Sequence, residues 1–219
     1  MADTQTHQQR GRFITLEGGE GAGKSTQAAR LEAALKAAGI AVLRTREPGG
    51  APGADILREL LLSGRHDWAP LAEVMLHFAA RAEHIDRTIA PALDAGIWVI
   101  CDRFADSTMV YQGWGLGADR AKIAELTNML PITPDLTLVL DVTVATTQAR
   151  LASRGLAADR YERLGADFFA RVRAGFLAVA EADPSRCVVI SGEDDADVVT
   201  EALLEAVRRR FPTSATSEP

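Results

Sequence analysis

Residues 18–25 read Gly-Gly-Glu-Gly-Ala-Gly-Lys-Ser, and no other stretch restricts the possible folds as tightly. Gly18, four residues, then Gly23-Lys24-Ser25 fits the pattern G-x-x-x-x-G-K-[ST]. Such a loop works only between a strand that delivers it and a helix whose positive end faces the anion it wraps. Both flanks are present. Phe13-Ile14-Thr15-Leu16 is apolar and β-prone, and the run from Thr26 to Leu35 is helix-prone. The candidate nucleotide-binding set is Gly18, Gly19, Glu20, Gly21, Ala22, Gly23, Lys24, Ser25 and Thr26. Glycines let backbone N–H groups converge on phosphate oxygens, Lys24 adds a point charge, and the Ser25 hydroxyl is a candidate Mg²⁺ ligand. Lys24 is expected to lie open to phosphate rather than in the core. The pattern arises by chance in roughly one chain in a hundred of this length, and its strand–loop–helix context makes accident rarer still.

Four more apolar, β-prone runs follow, near 40–45, 97–101, 135–141 and 186–190, after a first at 12–17. Their lack of polar alternation predicts strands covered on both faces. Helical patterns lie at about 24–38, 54–62, 70–94, 120–129, 144–153, 166–182 and 195–210. Strands alternating with helices predict an α/β fold, a five-stranded parallel sheet with right-handed crossovers and helices on both faces. Ligands of such sheets bind at the carboxyl ends of the strands. Glu17, the turn Arg46-Glu47-Pro48-Gly49-Gly50, Asp102-Arg103 and Asp141 all end or follow strands, so they are expected on one rim.

At 219 residues, 47% of them apolar, the chain can bury one sizeable core, and one domain over 12–211 is expected. The polar run 1–11 reads as a disordered leader and 212–219 as a flexible tail. No apolar run approaches the ~18 residues of a membrane span. A net charge of −6 argues against nucleic acid as a partner, so positive charge at a nucleotide site must be local. Cys101 and Cys187 sit in apolar runs and read as buried thiols in a reducing, cytoplasmic setting.

Three further segments carry chemistry. Thr45-Arg46-Glu47-Pro48-Gly49-Gly50 is a turn that on its own reads as a plain loop. Val99-Ile100-Cys101-Asp102 ends a buried strand in an acid, which suits a Mg²⁺ ligand, directly or through water, or a strand-end cap. Arg150-Leu151-Ala152-Ser153-Arg154-Gly155, followed by Asp159-Arg160, reads either as a solvated charged face or as an arginine lid over a transferred phosphoryl group.

Together these segments resemble the thymidylate kinase family in its bacterial form. The resemblance rests on Glu17-Gly18 with Glu20-Gly21-Ala22-Gly23-Lys24-Ser25-Thr26, on Arg46-Glu47-Pro48-Gly49-Gly50, and on Phe78-Ala79-Ala80-Arg81-Ala82-Glu83-His84. It continues through Asp102-Arg103-Phe104, Ser107-Thr108, Tyr111-Gln112-Gly113, Leu140-Asp141-Val142 and Arg154-Gly155 with Asp159-Arg160-Tyr161-Glu162. The resemblance implies a three-layer P-loop kinase fold with a lid over 150–164, ATP with Mg²⁺ as donor, thymidine monophosphate as acceptor, and a homodimer. It implies Arg58 and Arg103 at the acceptor phosphate, Glu17 beside the acceptor, Arg81 at the thymine carbonyl and Thr108 at the neighbouring base edge. Tyr111 falls at the sugar, Arg154 and Arg160 in the lid, and Ser25 with Asp102 at the metal. Glu47, Pro48, Ser107 and Gln112 complete the acceptor set, and the Glu47–Pro48 bond is expected to be cis. Where many members stack an aromatic ring on thymine this chain has His77, with Phe78 next to it, and either ring could do so. A kinase for another nucleoside monophosphate and a nucleotide-dependent switch are the competing readings. The switch loses ground because no Asn-Lys-x-Asp motif for reading guanine occurs.

Overall fold

A computed structural model of the chain describes residues 10–153 and 160–212. Five strands form one parallel sheet: β1 Phe13–Gly18, β2 Val42–Arg46, β3 Trp98–Asp102, β4 Leu136–Asp141 and β5 Cys187–Ser191. The order across the sheet is β2-β3-β1-β4-β5. This puts the loop-bearing β1 at the centre, hydrogen-bonded to β3 on one side and β4 on the other. The helices are α1 Lys24–Ala37, α2 Pro52–Leu62, α3 Pro70–His84, α4 Ala90–Asp94, α5 Ala105–Thr108, α6 Arg120–Asn128, α7 Val144–Ser153, α8 Ala166–Ala182 and α9 Ala196–Arg210.

Side chains of a strand alternate between faces, and that alternation makes two cores. Ile14, Leu16, Ile100, Leu138 and Leu140 meet Ala28 and Leu31 of α1 and Leu203 of α9 on one face. Phe13, Val99 and Cys101 meet Ile89 and Leu93 on the other, where Val139 packs with Phe168, Val172 and Phe176 of α8. Thr15 and Thr137, both fully buried in neighbouring strands, satisfy each other through a 2.8 Å hydroxyl contact.

Several expectations change. The edge strands are not covered on both faces, because β5 leaves Val188 and Val189 exposed and β2 carries Arg44 and Arg46 toward solvent. The helix expected over 70–94 is interrupted by a π-helical turn at Ile85–Ile89, just before Pro91, which lacks the N–H an α-helix needs. A helical segment absent from the sequence reading spans α5 and a π-helical stretch, Met109–Gly115. Gly11, expected within the leader, is buried and its N–H donates to the Leu93 carbonyl at 2.8 Å; residues 1–9 lie outside the described residues. Both thiols are free and buried, as expected. Among the described residues no helix is long and apolar enough to cross a membrane.

Candidate active site

The carboxyl ends of β1, β2 and β3 open on a cavity of 580 Å³, within the roughly 300–1,000 Å³ of small-molecule sites. Gly21, Gly23, Lys24, Ser25 and Thr26 line one side. Gly18 has a φ of 137°, and a Cβ there would lie 2.4 Å from the Leu140 carbonyl oxygen, so no side chain fits where the loop leaves the sheet. Gly18 and Gly19 do not face the cavity; their carbonyls accept from Lys24 Nζ at 3.0 and 2.7 Å. Lys24 is therefore 7% exposed rather than open, with its ammonium at the cavity edge. Burial, then the Arg103 charge, push its pKa down to about 8. The Ala22 side chain packs in the core. Ser25 Oγ donates to Asp102 Oδ2 at 2.6 Å, so the two expected metal ligands are brought together.

Arg103 occupies the floor between the loop and α5. Its backbone is left-handed, with a φ of 73°, the sole non-glycine residue in that region among the described residues. Its guanidinium donates to the Gly18 carbonyl and Ser107 Oγ, both at 3.1 Å, to Glu20 Oε1 at 2.7 Å and to Tyr111 Oη at 2.8 Å. Tyr111 Oη in turn donates to Glu20 Oε1 at 2.9 Å. Glu20, placed with the nucleotide loop by sequence, is thus the acid that lines the cavity beside Arg103 and Tyr111.

Glu17 does not take that place. It is fully buried, does not line the cavity, and accepts from the Phe104 N–H at 2.7 Å and from Ser107 Oγ at 2.6 Å. It holds the turn that carries Arg103 and Ser107. Desolvation, then the Asp106 charge, raise its pKa to about 8. The folded protein keeps this proton up to about 8, whereas the unfolded chain loses it near 4.5. Stability from this group is therefore complete below the lower value and lost as pH rises through the upper one. Glu17→Gln, which mimics the protonated acid, is expected to abolish that loss and to keep most of the turnover. Urea unfolding of both proteins from pH 5 to 8 checks it, and parallel curves would refute the assignment.

Opposite the loop, α3 presents Arg81. This buried guanidinium donates from Nε to Glu47 Oε2 at 2.7 Å and from Nη2 to Thr108 Oγ1 and the Phe104 carbonyl, both at 3.0 Å. Its Nη1 is buried without a hydrogen-bond partner, on a residue that lines the cavity. A buried donor without a partner is costly unless a ligand supplies one. His77 also lines the cavity, and burial, then the Arg81 charge, depress its pKa to about 3, leaving a neutral ring. Phe78 does not line it: the ring packs with Val74 and Ile123 and lies under the Arg81 guanidinium, 4.9 Å from its centroid. Of the two candidate rings, His77 faces the cavity. Pro48, Arg58, Ser107, Thr108 and Gln112 line it as expected, and Arg58 Nη1 donates to the Pro48 carbonyl at 2.7 Å. The Glu47–Pro48 bond is cis.

Two expected positions need revision. Arg160 does not reach over the loop: its Nη2 lies 2.7 Å from Glu73 Oε2 of α3. That carboxylate also accepts from Gln112 Nε2 at 2.9 Å and Tyr161 Oη at 3.0 Å, which makes a buried anion that captures the arginine. Asp141 ends β4 as expected but is held by both Arg173 donors, at 2.7 and 2.8 Å, away from the cavity. Arg154, with residues 155–159 of the expected lid, lies outside the described residues. Glu73 and Arg150 were missed. Arg150 lines the cavity and donates to the Gly21 and Gly192 carbonyls at 3.1 and 2.8 Å. It opened the arginine-rich run, which was the available signal; Glu73 had none.

A phosphate loop, a serine–aspartate oxygen pair and a facing wall with arginines on one cavity define a P-loop phosphotransferase acting between two nucleotides. The thymidylate kinase family model matches residues 16–203. The chain is 50% identical over 204 residues to a curated thymidylate kinase of Caulobacter vibrioides, covering 92% of this chain and 98% of that one. It is 49% identical over 202 residues to that of Gluconobacter oxydans, covering 90% and 94%. The crystal structure of thymidylate kinase from Ehrlichia chaffeensis superposes with a TM-score of 0.75 at 32% identity, over 90% of this chain and 99% of that one. The chain belongs to the thymidylate kinase family.

Proposed function

We infer that the protein transfers the γ-phosphoryl group of ATP to the 5′-phosphate of thymidine monophosphate, giving thymidine diphosphate and ADP. The observation that carries this reading is one cavity walled by a phosphate loop on one side and, on the other, by a buried arginine with an unpartnered donor. An oxygen of the acceptor phosphate attacks the γ-phosphorus, and the bond from that phosphorus to the bridging oxygen breaks. The acceptor is already an anion at neutral pH, so the task is positioning and charge neutralisation rather than proton removal. Lys24 and the loop N–H groups hold the donor, with Arg150 beside them. Arg58 and Arg103 hold the acceptor phosphate, their planar forks suiting paired oxygens.

Arg81 Nη1 donates to the carbonyl at position 4 of thymine, Thr108 supports it, and the neutral His77 ring lies against the base. Tyr111 covers the sugar where a 2′-hydroxyl would crowd it. Ser25 Oγ and Asp102 Oδ2 are hard oxygen donors at the cavity, a set that fits Mg²⁺. The ion would supply charge neutralisation across the donor phosphates. We further place the protein in the cytoplasm, where Cys101 and Cys187 stay reduced. The assembly we propose is a homodimer through α2 and α3, whose pairs Ile56 with Leu60 and Leu71 with Met75 are exposed.

The test is an acceptor panel with ATP, with and without Mg²⁺. Thymidine monophosphate should be turned over far faster than uridine, cytidine or adenosine monophosphate, and a chelator should stop the reaction. Preference for another base would make this a different nucleotide kinase, and rapid ATP hydrolysis without acceptor would make it a switch. Tyr111→Ala should narrow the ratio of catalytic efficiencies between deoxythymidine and ribothymidine monophosphates by about tenfold. An unchanged ratio would move sugar discrimination elsewhere.

A further inference from the structure

Behind Arg81 lies a chain of polar groups of which Glu47 lines the cavity, while His84 and Thr45 stand behind it. Arg81 Nε donates to Glu47 Oε2 at 2.7 Å, and the other oxygen of that carboxylate lies 3.0 Å from His84 Nδ1. His84 Nε2 lies 2.8 Å from Thr45 Oγ1. His84 has no exposed surface, and Glu47 is 4% exposed. A carboxylate only accepts, so Nδ1 of His84 carries the proton in this contact. Arg81 and His84 stand one turn apart at the end of α3, so one face of the helix sends both to the same carboxylate.

The turn is shaped around this contact. A Cβ on Gly50 would lie 2.4 Å from His84 Nε2 and 2.5 Å from Thr45 Oγ1, at a residue whose φ is 87°. The second glycine of the Pro-Gly-Gly run is therefore the space in which His84 meets Thr45. Glu47, His84 and Cys101 also bring ligand atoms within 4.8 Å of one another, a spacing a metal ion could use. Both Glu47 oxygens are already taken, one by a guanidinium whose charge opposes a cation there, and the Cys101 thiol donates to the Arg103 carbonyl at 3.0 Å.

We propose that Thr45, His84 and Glu47 form a positioning relay that fixes the plane of the Arg81 guanidinium, so that its unpartnered Nη1 points at the base, and that His84 is thereby a specificity-determining residue. The relay rests on the reading of Arg81 as the group that addresses the base carbonyl. An arginine fork discriminates by direction as well as charge. Held by Glu47, it offers a donor where thymine has a carbonyl and cytosine has an amino group, and it leaves the wrong base unpaired. If the relay slackens, the guanidinium loses its anchor at Nε and is held only through Nη2, by Thr108 Oγ1 and the Phe104 carbonyl, so it can pivot about that end between Phe78 and Phe104, whose centroids lie 4.9 and 5.3 Å from its central carbon.

The experiment is steady-state kinetics with thymidine and deoxycytidine monophosphates on His84→Leu, His84→Asn, Thr45→Val and Arg81→Ala, with thermal unfolding alongside. His84→Leu should raise KM for thymidine monophosphate about tenfold, the order expected when a charge-assisted hydrogen bond is lost. It should lower the thymidine-to-deoxycytidine ratio of kcat/KM while leaving KM for ATP unchanged. His84→Asn, whose amide nitrogen can stand in for Nδ1, should recover most of both. Thr45→Val should shift both the same way by less, and with His84→Asn it decides the matter if His84→Leu does not fold. A purely structural histidine would lower the unfolding temperature and scale both acceptors alike, and that result overturns the relay. So does an asparagine variant no better than leucine. If Arg81→Ala leaves KM and the base ratio untouched, the reading of Arg81 itself is wrong. If Arg81→Ala moves them and the His84 and Thr45 variants do not, the relay alone fails.

Discussion

Lys24→Ala is expected to lower turnover by about 10³-fold and to leave the fold standing. The ammonium is buried at the cavity edge, and its two protein partners are carbonyls of its own loop, Gly18 and Gly19. Those carbonyls hold the charge in place without neutralising it, so the phosphate oxygens of a nucleotide are its natural counter-charge. Among the described residues nothing else beside the loop supplies a compact cation, because Arg150 is spread over the Gly21 and Gly192 carbonyls. The loss should appear in kcat, since charge moves toward the bridging oxygen only as the bond breaks. Stability gives a second readout. The folded lysine releases its proton near 8 and the unfolded one near 10.5. Across that window the unfolded chain holds the extra proton, so wild-type stability rises with pH, and it falls again as pH drops through the folded value. Lys24→Ala should remove that rise, measured by urea unfolding at pH 7 and pH 10. Near-wild-type turnover would end the assignment of the loop.

What could be read from the chain divides by range. The loop, its strand and its helix are a contiguous signal, and the five strands are short apolar runs that announce themselves locally. Residues 105–115 are different. Thr108 and Val110 are β-branched and Gly113 and Gly115 weaken any helix, so propensity points away from one. The segment is helical because Tyr111 packs edge-on against Phe168 and Phe176 of α8, and because Gly115 leaves room for the Phe168 ring, which a Cβ would approach to 2.5 Å. That partner lies far along the sequence, and the segment carries Ser107, Thr108, Tyr111 and Gln112. The same limit explains the acids. Glu17 lies at the end of β1 and Glu20 follows three residues later in the loop, and the packing of Phe104 and Ser107 over Glu17 leaves Glu20 to face the cavity. It also explains Arg160, which stands in an arginine-rich run and pairs with a glutamate on α3 that no local pattern marks.

Arg103 carries the second large expected effect, because strain and charge meet there. Its φ of 73° costs a residue with a Cβ roughly 1–2 kcal/mol. Its N–H donates to the Leu16 carbonyl at 2.9 Å, its own carbonyl accepts from the Cys101 thiol at 3.0 Å, and four side-chain contacts reach the loop, Ser107, Glu20 and Tyr111. The surroundings over-determine a conformation the residue would not choose, and the result is a guanidinium 4.7 Å over the Tyr111 ring centroid on a residue that lines the cavity. Arg103→Ala should lower kcat/KM for thymidine monophosphate by about 10³-fold, with KM raised as well as kcat lowered, because the phosphate it holds stays bound throughout the reaction. Lysine should restore little of this, since a compact ammonium lacks the planar fork that spans Glu20, Tyr111 and a phosphate in fixed directions. Glycine separates strain from charge. Arg103→Gly should be as inactive as Arg103→Ala yet more stable than it by about 1 kcal/mol, because glycine adopts the left-handed backbone without penalty. Urea unfolding of the two variants beside their acceptor kinetics tests both halves. Equal stabilities would remove the strain argument, and an unchanged KM for the acceptor in Arg103→Ala would remove Arg103 from the acceptor phosphate.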